Sequence, residues 1–134
     1  MKKFNRLLLA VSILFILTIT VFPPYSDMRN LNRTVFRTFE IALREWRYNG
    51  TLRYFRTNIL GNIALFIPFG YFAWLSGFRK TIFLGMLLSI CIEAAQYPMG
   101  RWTDIDDVIL NTIGTAAGFG LAVLWRRIRR NGHR

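Results

Sequence analysis

Cysteine and histidine are nearly missing from this 134-residue sequence, which has one of each, Cys91 and His133. A single cysteine within an apolar segment excludes a disulfide framework and a paired-cysteine metal or redox motif. The histidine lies in the C-terminal tail, far along the chain from the other polar candidates, so they lack a histidine base or ligand. The acidic residues match no complete metal-loop spacing. The sequence therefore predicts no metal site and no cofactor.

Acidic residues are also few, because seven Asp and Glu stand against 18 Lys and Arg, giving a formal net charge of +11. The basic residues flank apolar segments, and no groove-reading or base-stacking motif accompanies them. Nucleic acid is therefore excluded as a partner. In a membrane protein such an excess of positive charge indicates topology and contact with membrane lipids.

The polar surface that a soluble domain of this size needs is missing too, because 53% of the residues are hydrophobic. They form four blocks, at residues 6–22, 59–78, 81–97 and 108–125. Each is close to the roughly 20 residues that a spanning helix requires, and the last two are expected to extend into their flanks. The first block lacks a cleavage site and is interpreted as a retained anchor. We predict a single all-α domain, a four-helix transmembrane bundle.

The basic residues indicate an orientation. Four crossings place both termini on one side, and cytoplasmic termini would put ten of the 18 basic residues inside. These ten include the dense ends at Lys2-Lys3 and at residues 126–130, whereas six of the seven acids belong to the other face. The positive-inside tendency favours cytoplasmic termini.

The loop after the first block contains a helical pattern. From residue 33 to residue 47, charged positions recur at helical spacing and alternate with Phe36, Phe39, Leu43 and Trp46. The pattern predicts an amphipathic interfacial helix that ends at Asn49-Gly50. Its aromatic stripe either enters the lipid surface or packs on the spanning helices, and the pattern alone does not decide between them.

Polar residues interrupt the last three blocks near one end. With 1.5 Å of rise per residue, Asn62, Glu93 and Asn111 lie roughly 5 to 8 Å below the same membrane surface. Polar groups in hydrocarbon are costly and commonly functional, so we expect the helices to turn them together. The candidate binding residues are Asn58, Asn62, Glu93, Gln96, Arg101, Asp104, Asp106, Asp107 and Asn111. Close approach of a neighbouring helix within the bundle is predicted by the GxxxG motif at Gly114 and Gly118.

Three functions remain open for these residues. The first is a purely structural network, and the second is binding of a lipid headgroup or another polar ligand at the outer surface. The third is a metal-assisted enzyme acting on a lipid-linked phosphate, with Mg²⁺ or Ca²⁺ on carboxylates and Glu93 as the acid or base.

Three successive blocks of the sequence resemble the signature of the VanZ-like family. They are the segment from Asn62 to Gly70, the segment from Glu93 to Gln96, and Arg101 followed by the segment from Asp104 to Gly118. The resemblance implies a small bacterial integral membrane protein, similar to one that gives low-level resistance to teicoplanin, a lipid-tailed glycopeptide. It carries over as motif positions Asn62, Glu93, Gln96, Arg101, Asp104, Asp106, Asp107 and Asn111.

We therefore expect a multi-pass protein of the bacterial cell membrane, whose outer-facing polar cluster binds a lipid headgroup or cell-envelope precursor. The expected partners are membrane lipids, with a lipid-linked precursor or a glycopeptide as the further candidates. A contribution to glycopeptide resistance follows from the resemblance.

Overall fold

The computed structural model describes residues 2–21, 31–32, 34–99 and 103–132. Four of its helical segments are long and apolar enough to cross a membrane, at Lys3–Val21, Phe55–Ser76, Phe78–Met99 and Ile105–Asn131. The predicted all-α bundle is confirmed. The α-helices are α1 (Lys2–Val21), α2 (Arg37–Asn49), α3 (Gly61–Ala73), α4 (Phe78–Gln96) and α5 (Ile105–Asn131).

The spanning segments extend beyond the apolar blocks that predicted them. A π-helical turn, Phe55–Leu60, precedes α3, and short 3-10 turns follow α3 and α4 at Trp74–Ser76 and Tyr97–Met99. Gly77, at a φ of 86°, separates the second span from the third. The third and fourth spans extend into their flanks as predicted, since α4 begins at Phe78 and α5 continues to Asn131. Pro68 lies inside α3, which continues through it.

The helices α3 and α5 pack more extensively than any other pair, along what we call the glycine seam: Gly70, Gly114 and Gly118. A Cβ at Gly114 would overlap the backbone of Ile63, and a Cβ at Gly70 would overlap the backbone of Thr115. A Cβ at Gly118 would overlap the backbone oxygen of Ile67. The GxxxG motif therefore serves internal packing, as predicted.

Two apolar clusters form the core of the bundle. The larger contains the fully buried Ile16 and Phe66, with Phe69, Ala73 and Ile92, and so joins α1, α3 and α4. The smaller contains Ala42, Ile59 and Leu110 and joins α2 to the start of the second span and to α5. Each span therefore has an inner side, while the rest of its surface is left for lipid.

The amphipathic helix exists but begins later than predicted. It starts at Arg37 instead of residue 33, because Phe36 immediately before it adopts a left-handed conformation with φ 69°. It ends at Gly50, with φ 63°, as the Asn49-Gly50 turn predicted. Only Thr38 and Ala42 of α2 are buried, whereas Phe39, Leu43 and Trp46 are exposed. This exposure favours lipid contact for the aromatic stripe.

The sequence did not predict a short parallel strand pair beside α2. Leu31–Asn32 pairs with Thr103–Asp104, with Leu31 opposite Thr103 and Asn32 opposite Asp104. The pair joins the loop before α2 to the residues that precede α5. It therefore holds two connections together at the end of the bundle where the predicted polar residues lie.

Candidate functional site

The second span enters the bundle through a wider helical turn. Residues 55–60 form a π-helix, in which the N–H of Gly61 donates to the carbonyl of Arg56. Such turns are rare and frequently accompany functional sites. Asn58 lies within this turn, and its side-chain amide donates to the carbonyl of Tyr54 at 3.2 Å and to the Thr57 hydroxyl at 3.0 Å. The polar face of this span therefore begins in an irregular segment.

One turn deeper, Asn62 joins the second span to the fourth. Its Nδ2 donates to Oδ1 of Asp107 at 2.6 Å. This hydrogen bond satisfies two polar groups that would otherwise face hydrocarbon. Asn62 and Asp107, both predicted as site residues, are therefore direct partners.

Asn111 joins the fourth span to the third. Its Nδ2 donates to the Ser89 hydroxyl at 2.8 Å, and the side chain is only 4% exposed. Its Oδ1 is buried and receives no hydrogen bond within the part of the chain that the structure describes. A buried acceptor without a donor costs free energy, so this oxygen is an available binding group within the bundle.

The third span contributes two more predicted residues, and both reach other segments. Oε2 of Glu93 accepts a hydrogen bond from the backbone N–H of Asp104 at 2.9 Å. Nε2 of Gln96 donates to the backbone carbonyl of Thr20 at 2.8 Å. Both side chains are buried. Gln96 thus brings the end of α1 to the polar cluster, which the sequence analysis did not anticipate.

A cavity of about 500 Å³ lies among these four spans. Its wall combines polar side chains with Phe15 and Ile19 of α1, which are also exposed on the outside of the bundle. We call it the polar cavity. Asn62, Glu93 and Asn111, which the sequence predicted at one shared depth, all line this cavity. Six of the nine predicted site residues line it: Asn58, Asn62, Glu93, Gln96, Asp107 and Asn111.

Asp104 and Asp106 lie on the other side of the cluster, toward α2. Both oxygens of Asp106 accept backbone hydrogen bonds from the start of α2, at 2.7 Å from Phe36 N and 2.8 Å from Thr38 N. Asp104 caps α5 through the N–H of Asp106, and its Oδ2 accepts from the Thr38 hydroxyl at 3.1 Å. These two carboxylates fasten α2 to the bundle. The ninth predicted residue, Arg101, lies outside the described residues.

Tyr54 adjoins the cluster and was missed from the sequence. Burial raises the pKa of its phenol above the ordinary value of 10.0, and the nearby carboxylates of Asp104 and Asp107 raise this pKa further. Ser89 and Thr20 were missed as well. The signal for two of them was helical spacing, because Tyr54 precedes Asn58 by one turn and Ser89 precedes Glu93 by one turn.

Metal binding finds no support in the described geometry. Within residues 2–21, 31–32, 34–99 and 103–132, no three His, Cys, Asp or Glu side chains are grouped so that they could hold a metal ion. Asp106, one of the carboxylates considered for Mg²⁺ or Ca²⁺, already accepts two backbone hydrogen bonds. What the described side chains offer in the polar cavity is hydrogen bonding.

Comparison with known proteins gives one match. No curated protein and no solved structure matches the chain. The family model described as VanZ/LLP1 matches residues 7–126. The match includes α2, the residues that line the polar cavity, the whole second and third spans, and most of the first and fourth. Together with the four candidate spans, this match shows that the chain is a multi-pass membrane protein of the VanZ/LLP1 family.

Proposed function

We propose that this protein binds the headgroup of a lipid or lipid-linked envelope precursor in the polar cavity. The observation that carries the proposal is the cavity itself, a volume of about 500 Å³ that is lined by six of the predicted polar residues, which come from three spans. This volume lies within the roughly 300 to 1,000 Å³ typical of small-molecule sites. A network that served structure alone would be expected to close around its own hydrogen bonds.

The cavity wall suits an amphiphile better than a soluble ligand. Amide and carboxylate groups line one part of it, while Phe15 and Ile19 belong both to the wall and to the lipid-facing surface of α1. A headgroup can occupy the polar part while its chains follow the apolar surface of α1 into the membrane. No such arrangement is needed for a ligand that arrives from water.

The charge distribution supports an outward-facing cavity. The polar cavity lies at the end of the bundle that contains Thr20, Asn58 and Gln96. Both helix ends with dense basic residues, the start of α1 and the end of α5, lie at the opposite end. The positive-inside tendency favours the basic end in the cytoplasm, which would leave the cavity at the outer leaflet.

At the outer leaflet, such binding affects teicoplanin, the lipid-tailed glycopeptide to which the family resemblance points. A protein that holds lipid or precursor headgroups there competes with the glycopeptide or alters its access to the membrane surface. We expect the protein to lower teicoplanin sensitivity more than vancomycin sensitivity, because only the former has the lipid tail.

The test compares two Glu→Gln variants. Glu93→Gln changes the cavity wall, and Glu40→Gln makes the same chemical change on the exposed face of α2. Detergent-purified proteins are stripped of lipid, mixed with a polar lipid extract from bacterial membranes, and weighed intact by native mass spectrometry. We expect Glu93→Gln to lower lipid retention about tenfold, which corresponds to the loss of one strong hydrogen bond. Glu40→Gln should retain lipid like the wild type.

The same pair of variants is then expressed at equal membrane levels in cells whose susceptibility to teicoplanin and vancomycin is measured. Wild type and Glu40→Gln should share the protective effect, and Glu93→Gln should lose it. Equal lipid retention by all three proteins would contradict headgroup binding and favour a structural network. If Glu93→Gln retains less lipid than the other two proteins but all three give equal susceptibility, lipid binding stands and the link to teicoplanin is rejected.

A further inference from the structure

The buried oxygen of Asn111 identifies the kind of headgroup that fits the polar cavity. The side chain is 4% exposed and lines the cavity, and the described residues supply no donor to its Oδ1. The nitrogen of the same amide, Nδ2, donates to the Ser89 hydroxyl at 2.8 Å, and this hydrogen bond fixes the position of Oδ1. A ligand that brings an N–H or O–H to this point satisfies an acceptor that the protein leaves open.

The remaining polar wall also favours a donor. Oxygen acceptors line this part of the cavity, because Glu93 accepts from the backbone N–H of Asp104 and Asp107 accepts from the side-chain amide of Asn62. The described residues that line the cavity include no Lys, Arg or His. A phosphate that approaches these described side chains would therefore meet other oxygen acceptors.

Resting on the proposed function, we infer that the cavity selects headgroups that donate hydrogen bonds through an ammonium or hydroxyl group, with Asn111 Oδ1 as the selecting acceptor. Phosphatidylethanolamine has the ammonium donor and phosphatidylglycerol has hydroxyl donors. Phosphatidylcholine has the same phosphate and a similar cationic nitrogen but no donor. A site that hydrogen-bonds its ligand rejects an analogue without the donor, because the acceptor is then left unpaired.

The first experiment uses the wild-type protein alone, so that it does not depend on the folding of a variant. The delipidated protein is offered phosphatidylethanolamine, its N-monomethyl and N,N-dimethyl forms, and phosphatidylcholine, all with identical acyl chains. Retention of each is measured by native mass spectrometry. Methylation removes the donors one by one, and we expect at least about a tenfold fall when the last is lost. Equal retention of the four lipids would overturn the inference.

A phosphatidylglycerol arm distinguishes the two donor sources. Retention comparable with that of phosphatidylethanolamine shows that a hydroxyl donor suffices, and retention as low as that of phosphatidylcholine assigns the selection to the ammonium. With either result for phosphatidylglycerol, the inference stands only if retention falls along the series from phosphatidylethanolamine to phosphatidylcholine.

A pair of neighbouring variants assigns the selection to Asn111. Asn111→Leu removes the open acceptor, while Thr112→Val removes a hydroxyl that donates to the carbonyl of Val108 in its own helix. We expect Asn111→Leu to retain the four lipids equally and Thr112→Val to keep the wild-type preference. If Asn111→Leu keeps that preference, the assignment is wrong.

The failure of this inference is separable from that of the proposed function. If the wild type retains phosphatidylcholine as well as phosphatidylethanolamine, but Glu93→Gln loses both, headgroup binding stands and donor selection fails. If neither Glu93→Gln nor Asn111→Leu changes the retention of any lipid, both proposals fail.

Discussion

The glycine seam and the polar cavity involve the same two helices, α3 and α5, but the helices meet in opposite ways. Along the seam, the backbones approach so closely that a single added carbon at Gly70, Gly114 or Gly118 would overlap the facing chain. At the cavity, polar side chains from these helices and from α4 stand around open volume. The volume therefore does not result from loose packing. It is maintained beside one of the tightest contacts in the fold.

Two glycines of α5, two residues apart, differ most clearly in the space around them. A Cβ at Gly118 would overlap backbone atoms of Ile67 and Tyr71, whereas a Cβ at Gly120 would meet nothing within 4 Å. We expect Gly118→Ala to lower the free energy of unfolding by about 3 kcal/mol, because backbone cannot move aside as a side chain can. Gly120→Ala should raise it by up to about 1 kcal/mol through helix propensity. Thermal unfolding in detergent measures both, and equal melting temperatures would show that the seam is not close-packed.

The second prediction concerns the attachment of α2 to the polar end of the bundle. Asp106→Ala removes the acceptor of two backbone N–H groups and should lower the free energy of unfolding by about 2 kcal/mol. It should also release α2 before the spans unfold, so that the helix unfolds locally and trypsin cleaves after Arg44 and Arg47. Glu40→Ala, on the exposed face of α2, is the control. Unchanged tryptic cleavage in Asp106→Ala would mean that other contacts hold the helix.

The third prediction concerns a glycine at the cavity, where an added side chain would fill the cavity and leave the seam unchanged. Gly61 lines the polar cavity, and the nearest atom to a Cβ there is the carbonyl oxygen of Arg56 at an ordinary 3.7 Å. We expect Gly61→Leu to change the free energy of unfolding by less than about 1 kcal/mol. Its side chain should nevertheless lower phosphatidylethanolamine retention about tenfold, the equivalent of 1.4 kcal/mol. A variant that folds and still retains lipid would place the ligand elsewhere.

The smallest expected effect is the pH dependence due to Tyr54. Burial and the neighbouring carboxylates raise its pKa in the folded protein, so the unfolded chain loses the phenolic proton first as pH rises past 10.0. Stability is therefore unaffected below that pH and decreases above it, until the folded pKa is passed. Tyr54→Phe should lose less stability than the wild type between pH 9 and pH 11. Tyr48→Phe, at an exposed ring, serves as the control and should follow the wild type.

The sequence predicted the features of this fold that depend on local periodicity. Span lengths, the GxxxG contact and the shared depth of Asn62, Glu93 and Asn111 follow from the rise of a helix and from the cost of polar groups in hydrocarbon. Each of these is a property of one segment at a time. The VanZ/LLP1 match confirmed the family that the polar blocks resembled.

The features that escaped prediction depend on contacts between distant segments. The start of α2 was placed four residues too early. The helix begins at Arg37, and the carboxylate that accepts the N–H of Phe36 just before it belongs to Asp106, 70 positions away. Asp106 itself was grouped with the cavity residues, whereas its oxygens face α2. Helical spacing predicts the face of the helix on which a residue lies. It does not predict which backbone groups of a neighbouring segment contact that face.

The bond between Asp106 and the start of α2 has a consequence for biosynthesis. A ribosome delivers α2 to the membrane well before it has made α5, so the amides of Phe36 and Thr38 lack their protein acceptor when they first emerge. They obtain it only when the last span has inserted. The helix α2 is thus synthesised second among the helices, but its hydrogen bonds to Asp106 form last. The formation of these bonds therefore requires that the fourth span has been inserted.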